Sequence, residues 1–228
     1  MLYQDTSKNN PQYEEPSFDD PILTELYMAF KNGDIEKWKK LLQKHTEHIH
    51  NTRLQNHALL ESNHIDANKL ACLQYMIDSG AEIVTEFSDF IFPFATNSQI
   101  EMVKLFLENG ADPNAIEQNL NHWPVIYEAI SGGYGSKVEI IDLLIKHGAD
   151  ANAKIYSNEY QDTITPLMFA VQRGYWHSCI ALLENCADPN YQNKEGKSIK
   201  AMVLEKAILE KDEDQYPKFW EFVELLKK

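Results

Sequence analysis

The sequence is poor in the features that mark secreted, membrane-spanning and disulfide-stabilised proteins. Its three cysteines are an odd number and show no CxxC spacing, which provides no disulfide framework and suits a reducing compartment. No apolar run approaches the ~20 residues that a helix needs to cross a bilayer. The first residues, MLYQDTSKNNPQ, lack the basic and then apolar pattern of a secretory signal. We therefore expect a cytoplasmic protein.

Basic residues are also scarce. The chain has 21 lysines and arginines against 35 aspartates and glutamates, so its formal net charge is −14. Such a charge disfavours nucleic acid and anionic membrane as partners, because both are polyanions. It favours a protein partner with a basic surface, or it serves solubility alone, which is the more common reason for such a charge.

The chain lacks a recognisable constellation of nucleophile, base and orienting group. Cys72 and Cys179 lie in apolar helical patterns without a basic neighbour, and we expect both to be small core residues. The sequence GGYG at 132–135 is too short for a phosphate-binding loop and follows a helix rather than a strand. We therefore predict a protein that is not an enzyme and that uses no cofactor.

Histidines are concentrated in the segment HTEHIHN at 45–51, which raises the question of a metal site. His45 and His48 follow a predicted helix end, where the helix dipole favours histidine. No carboxylate or cysteine completes a ligand set at a known spacing. We interpret the segment as a solvated loop and expect no metal.

The strongest pattern in the chain is a sequence unit that occurs four times. Its clearest copy, KVEIIDLLIKHGADAN at 137–152, has apolar residues over most of one helix surface. A residue without Cβ, Gly148, is then placed to end the helix in the left-handed conformation. The equivalent stops are Gly80, Gly110, Gly148 and Cys186, which lie 30, 38 and 38 residues apart. A period in this range indicates stacked repeats, each unable to bury its apolar face alone.

The segments between these stops predict pairs of short helices. Thr165 is placed to cap a helix in which Pro166 takes the first position. The segment FSDFIFPFA at 87–95 could be a strand or a helix, and we assign a helix from the phase of the repeat. One further helix is predicted to begin near residue 22, and another is predicted to follow Gly33. Others are expected at 54–61, 69–79, 125–131, 198–210 and 216–227.

The best-preserved unit resembles an ankyrin repeat. The matching positions are Thr165-Pro166-Leu167, Ala170, Gly174, Leu182-Leu183 and Ala187-Asp188-Pro189-Asn190. The resemblance is strong over 119–193, clear over 100–114, and weaker but in phase over 23–43 and 66–82. The chain departs from the family pattern where Cys186 replaces the stop glycine and Pro124 replaces the usual threonine.

The resemblance implies an all-α solenoid of about six helix-turn-helix units joined by short β-like fingers. We expect a flexible acidic arm at 1–21 and an ankyrin repeat domain at 22–228. That domain would comprise degenerate units at 22–86, clear repeats at 87–193 and a C-terminal cap at 194–228.

Ankyrin resemblance also implies a concave face, lined by fingers and first helices, that binds other proteins. The finger predicted at 152–165 is long and carries Tyr156 and Tyr160, which either bind a partner or pack on the base of the finger. Read in register with the repeat, the predicted partner-binding residues are Trp123, Glu128, Tyr156, Glu159, Tyr160, Asp162, Phe169 and Arg173.

The combined interpretation is a protein-binding module that is monomeric when free. The resemblance implies a range of roles that includes immunity partners of bacterial toxins. The size, acidity and lack of a signal fit such a protein, which would bind and inhibit a basic protein. The alternative is a secreted or host-directed ankyrin effector or adaptor.

Overall fold

The computed structural model describes residues 18–60, 66–82, 91, 95, 99–116, 122–131, 136–158, 161–209, 213 and 215–227. The chain separates into two compact units, Met1–Ile83 and Val84–Lys228. Among the helices that the structure describes, none is long and apolar enough to cross a membrane.

The first unit is helical throughout its described part. Its helices are α1 (Pro21–Lys31), α2 (Ile35–Lys44), α3 (Thr52–Leu60) and α4 (Ala67–Asp78), with a 3-10 turn at Thr46–His48. As predicted, α1 and α2 form a pair separated at Gly33, whose φ is +65°. The indole of Trp38 on α2 is fully buried and donates to the carbonyl oxygen of Cys72 at 3.1 Å, which joins α2 to α4.

The last residues of the predicted arm are part of this unit. Phe18 is buried, with its ring 6.0 Å from that of Tyr27 and 5.6 Å from that of His57. Asp20 caps α1 by accepting the N–H of Ile22 at 2.8 Å. The boundary placed at residue 21 is therefore wrong by at least four residues, because an aromatic side chain anchors the entry to α1. Residues 1–17 lie outside the described residues.

The second unit contains helices and one hairpin. The helices are α5 (Ile100–Glu108), α6 (Val125–Ile130), α7 (Ser136–Lys146), α8 (Pro166–Arg173), α9 (Trp176–Glu184), α10 (Ile199–Leu209) and α11 (Pro217–Leu225). Strands β1 (Ile155–Ser157) and β2 (Asp162–Ile164) pair antiparallel in the predicted finger. Isolated bridges join Ile116 to Pro124 and Gln192 to Ser198 in the two neighbouring connections.

The four predicted helix stops are confirmed, and they share one hydrogen-bond pattern. The φ angles are +97° at Gly80, +93° at Gly110, +102° at Gly148 and +64° at Cys186. After each stop, the N–H of a buried alanine bonds back across the turn, as at Gly148, where Ala149 bonds the carbonyl of Leu144 at 2.9 Å. This is the Schellman arrangement, and it satisfies carbonyl groups that the helix end leaves free.

The polar residues that follow the stops at Gly110 and Gly148 connect one turn to the next. Asp150 accepts the N–H of Asn152 at 2.8 Å, and the side chain of Asn152 accepts the N–H of Asp188 in the following repeat at 2.7 Å. Asn114 does the same one repeat earlier, at 2.8 Å from the N–H of Asp150. The sequence GAD-x-N thus encodes a helix stop, a buried methyl group, a local turn and a bridge between repeats.

The C-terminal helix pair covers the apolar edge of the pair before it. Trp176 at the start of α9 lies 4.9 Å from the ring of Phe219 and 5.8 Å from that of Phe222. Both phenylalanines of α11 are fully buried. The role of this pair as a C-terminal cap stays a prediction.

The predicted helix at 87–95 is described at two positions only. Ile91 and Ala95 have helical backbone and are fully buried. The other residues of that segment lie outside the described residues. The count of about six repeat units, and their union in one domain, stay predictions.

The left-handed stops generate a paired prediction on stability. Gly148→Val should lower the free energy of unfolding by about 1–2 kcal/mol, because a β-branched residue is strained at positive φ. The nearest atom to an added Cβ is Pro113 Cγ at 4.0 Å, so the cost is conformational rather than a clash. Cys186→Gly, the matched control, should be neutral or stabilising by about 1 kcal/mol, since Cys186 is exposed at the equivalent position. Chemical denaturation measures both, and an unchanged midpoint for Gly148→Val would contradict the assignment.

Candidate functional site

The finger formed by β1 and β2 has an inward and an outward face. Ile155 pairs with Ile164, and both are buried. Tyr156 pairs with Thr163 on the opposite face, because successive strand side chains alternate. The register of this hairpin therefore decides which polar side chains of the finger can meet a partner.

Tyr156 is the most exposed aromatic residue of the described finger. Its side chain is 54% exposed, and its hydroxyl donates to Gln161 Oε1 at 3.2 Å. Gln161 in turn donates to the carbonyl oxygen of Asn158 at 2.7 Å, with its own φ at +49°. Tyr156 does not pack on the base of the finger, which was the alternative considered from the sequence. The ring is held by the hairpin tip and faces solvent.

The buried hydroxyl of Tyr127 on α6 holds the two ends of the finger together. It lies 2.6 Å from the carbonyl oxygen of Ala153 and 3.1 Å from that of Ile164, and its single proton is shared between these two acceptors. Burial raises the pKa of Tyr127 far above its ordinary value, so the hydroxyl stays a donor at neutral pH. Nothing in the sequence marked Tyr127 for this role.

Asp162 is a structural residue and not the exposed contact that we predicted. Its side chain is 4% exposed, and its carboxylate accepts the backbone N–H groups of Thr163, Lys194 and Glu195. Burial would raise the pKa of Asp162, but these three donors outweigh it, and the pKa lies below its ordinary value. Asp162 therefore fixes the turn that begins the next connection. It faces inward because it pairs with Ser157 on the same face as the buried isoleucines.

A second tyrosine extends the outward face of the finger. The hydroxyl of Tyr191 lies 2.9 Å from Thr163 Oγ1, and Lys154 Nζ lies 4.8 Å from the centre of the Tyr191 ring. We call Tyr156, Thr163 and Tyr191 the finger strip. Tyr191 was missed, although a signal existed: it stands directly after the GAD-x-N sequence, where the two earlier repeats carry alanine.

Three aromatic rings from the finger base and the first helices form a cluster that we call the aromatic triad. Trp123, Tyr127 and Phe169 lie with ring centres 5.5–5.7 Å apart in tilted or edge-to-face arrangements. Trp123 is half-buried, whereas Phe169 is buried, so the prediction that Phe169 is exposed is wrong. Arg173, which is exposed, lies with its guanidinium 5.5 Å from the Phe169 ring. The structure thus places Trp123 and Arg173 against the ring of Phe169.

The remaining predicted residues differ in how far the structure describes them. Glu128 on α6 is half-buried. Glu159 and Tyr160 lie outside the described residues. The eight predicted residues therefore divide into one buried carboxylate, one buried ring, four side chains with exposed surface and two that are not described.

Comparison with protein families identifies the repeated unit. A family model described as ankyrin repeats matches residues 91–193 in three copies. That range contains the stops at Gly110, Gly148 and Cys186 and the whole finger. In a comparison with curated proteins, no match to this chain was found.

The depressed pKa of Asp162 predicts how its contribution to stability depends on pH. The pKa of an aspartate in the unfolded chain is roughly 3.9. A carboxyl group whose pKa is lower in the folded chain stabilises the fold at pH values above this unfolded pKa. That stabilisation is lost as the pH falls through the folded pKa. The melting temperature of Asp162→Asn should therefore lie below that of the parent at neutral pH, and the gap should shrink below about pH 4.

The control for this prediction is Glu139→Gln, which changes an exposed carboxyl group on α7. Its melting temperature should stay close to that of the parent across the same pH range. A gap for Asp162→Asn that is absent at neutral pH would contradict the buried hydrogen-bonded role of Asp162.

Proposed function

Since residues 91–193 of this chain belong to the ankyrin repeat family, we propose that the second unit binds another protein through the finger strip and the adjoining Trp123. Ankyrin repeats are, in general, protein–protein interaction modules and not enzymes. The single observation that carries this proposal is the exposed ring of Tyr156, held on the outward face of a hairpin whose inward face is buried.

The finger strip has the composition and the rigidity that a binding surface needs. Tyrosine offers large contact area with two side-chain torsions, so little entropy is lost when a partner immobilises it. Tyr156 is already restrained by Gln161, and Tyr191 by Thr163 and Lys154. A surface ordered before binding reduces the cost of association.

We propose a partner with a basic surface. The support is the net charge of −14, which attracts a basic protein over a long range and speeds encounter. Glu128 on α6, which is half-buried, would contribute locally. Asp162 would not, because its carboxylate is already surrounded by backbone donors.

The biological role that we favour is inhibition of that partner, as an immunity protein inhibits a toxin. The size and acidity of the chain support it. The same surface would also serve a secreted or host-directed adaptor, and the two roles differ in their consequences. An inhibitor should abolish the activity of its purified partner at equimolar ratio, whereas an adaptor should bind and leave that activity unchanged.

The binding proposal predicts a loss of affinity without a loss of stability. Tyr156→Ala should weaken binding to the co-purifying partner by about 2 kcal/mol, because a central aromatic contact is removed. Its melting temperature should match that of the parent, since Tyr156 lies outside the core. Calorimetric titration with the purified partner, identified by mass spectrometry, measures the affinity.

The control is Leu204→Ala, which changes a 69% exposed apolar residue on α10, outside the finger strip. It should bind like the parent. If Tyr156→Ala also binds like the parent, or if Leu204→Ala weakens binding equally, the finger strip is not the contact surface.

A further inference from the structure

Four side chains with metal-ligating atoms converge in the first unit, where α1 begins and α2 ends. Within the described part of the chain, His45, Glu47 and His48 bring one ligand atom each to within 4.8 Å of one another. Asp20, from a distant position in the sequence, brings its Oδ2 to 3.3 Å from His48 Nε2. We propose that His45, Glu47, His48 and Asp20 form a zinc-binding site. This inference is independent of the proposed function of the second unit.

Local structure explains why these residues meet. His45 ends α2 and begins the 3-10 turn, and His48 is the last residue of that turn. Residues three apart eclipse one another in a 3-10 helix, so the two imidazoles share one side, with ring centres 6.1 Å apart. Asp20 arrives from the opposite direction, because α1 begins beside the point where α2 ends.

Two of the distances between ligand atoms match those that tetrahedral zinc imposes, and a third is longer. Zinc bonds of 2.0–2.1 Å place neighbouring tetrahedral ligands about 3.3–3.4 Å apart. His45 Nδ1 lies 3.4 Å from Glu47 Oε1, and His48 Nε2 lies 3.3 Å from Asp20 Oδ2. Glu47 Oε1 lies 3.9 Å from His48 Nε2, and its exposed side chain has the freedom to close that difference.

The carboxylate of Asp20 is oriented before any metal binds. Its Oδ1 accepts the N–H of Ile22 at 2.8 Å as the cap of α1, while Oδ2 faces His48. The backbone after the 3-10 turn is also fixed, because Gln55 Nε2 donates to the carbonyl oxygen of Ile49 at 2.7 Å. Such outer contacts keep ligands in place and are typical of metal sites.

The donor set selects the class of metal. Two imidazole nitrogens with two carboxylate oxygens suit zinc and its first-row neighbours, whereas calcium and magnesium prefer oxygen donors throughout. Both histidine side chains are mostly buried, and both nitrogens face a carboxylate. A zinc ion would place a positive charge between the two imidazoles and the two carboxylates. It would also join the start of α1 to the turn after α2.

The direct test is a zinc titration of the whole chain after chelator treatment and dialysis. Calorimetry with zinc chloride at pH 7.5 should give one zinc per chain, and zinc should raise the melting temperature. His45→Ala and His48→Ala should each weaken zinc binding at least tenfold. Asp20→Asn should weaken it too while keeping the cap of α1, because asparagine and aspartate cap helices equally well.

The matched control is His50→Ala, which removes an exposed histidine of the same segment that lies outside the group. It should bind zinc like the parent. The proposal is overturned if the parent shows no saturable zinc binding, or if the variants of His45, His48 and His50 bind zinc alike. It is also overturned if zinc leaves the melting temperature of the parent unchanged. Should His48→Ala fail to fold by circular dichroism, His45→Ala and Asp20→Asn decide the outcome.

Discussion

The left-handed residue that ends each second helix is the constraint on which the described repeats depend. At Gly148 it lets the N–H of Ala149 return to the carbonyl of Leu144, which stops the helix and buries the alanine methyl group. The chain then runs in the direction that allows Asn152 to bond the turn of the next repeat. Without this stop, α7 would continue and the finger would not begin where Tyr127 can hold it. Cys186 keeps the same geometry with a Cβ, which shows that position in the repeat outweighs residue preference.

Buried polar groups make the finger a rigid support. The hydroxyl of Tyr127 satisfies carbonyl oxygens at both ends of the hairpin, and the carboxylate of Asp162 satisfies the N–H groups of the following connection. Because these groups are hydrogen-bonded and mostly buried, loss of either set of hydrogen bonds would lower the free energy of unfolding. The inward face thus fixes the hairpin, and the outward face carries Tyr156 and Thr163.

Much of the fold could be predicted from the sequence, because period and helix stops are local signals. The stops and the capping role of Thr165 follow from spacing and turn chemistry, and the finger follows from the resemblance to ankyrin repeats. The face on which Asp162 lies could not be predicted, since a shift of one residue in hairpin register reverses every side chain. The approach of Asp20 to His48 was invisible for another reason: only the pairing of α1 with α2 brings the two residues together. Phe169 was misjudged because Trp123 and Tyr127, from another repeat, cover its ring.

The central claim is that a partner binds the outward face of the finger, and hydrogen exchange of the complex tests it most directly. Amide exchange would be compared between the free chain and the chain saturated with its purified partner. Slower exchange is expected at 153–158, 161–164 and 191–193, and in α6 near Trp123, with the outer surfaces of α7 and α9 unchanged. Protection confined to α7 and α9, with none in the finger, would contradict the claim.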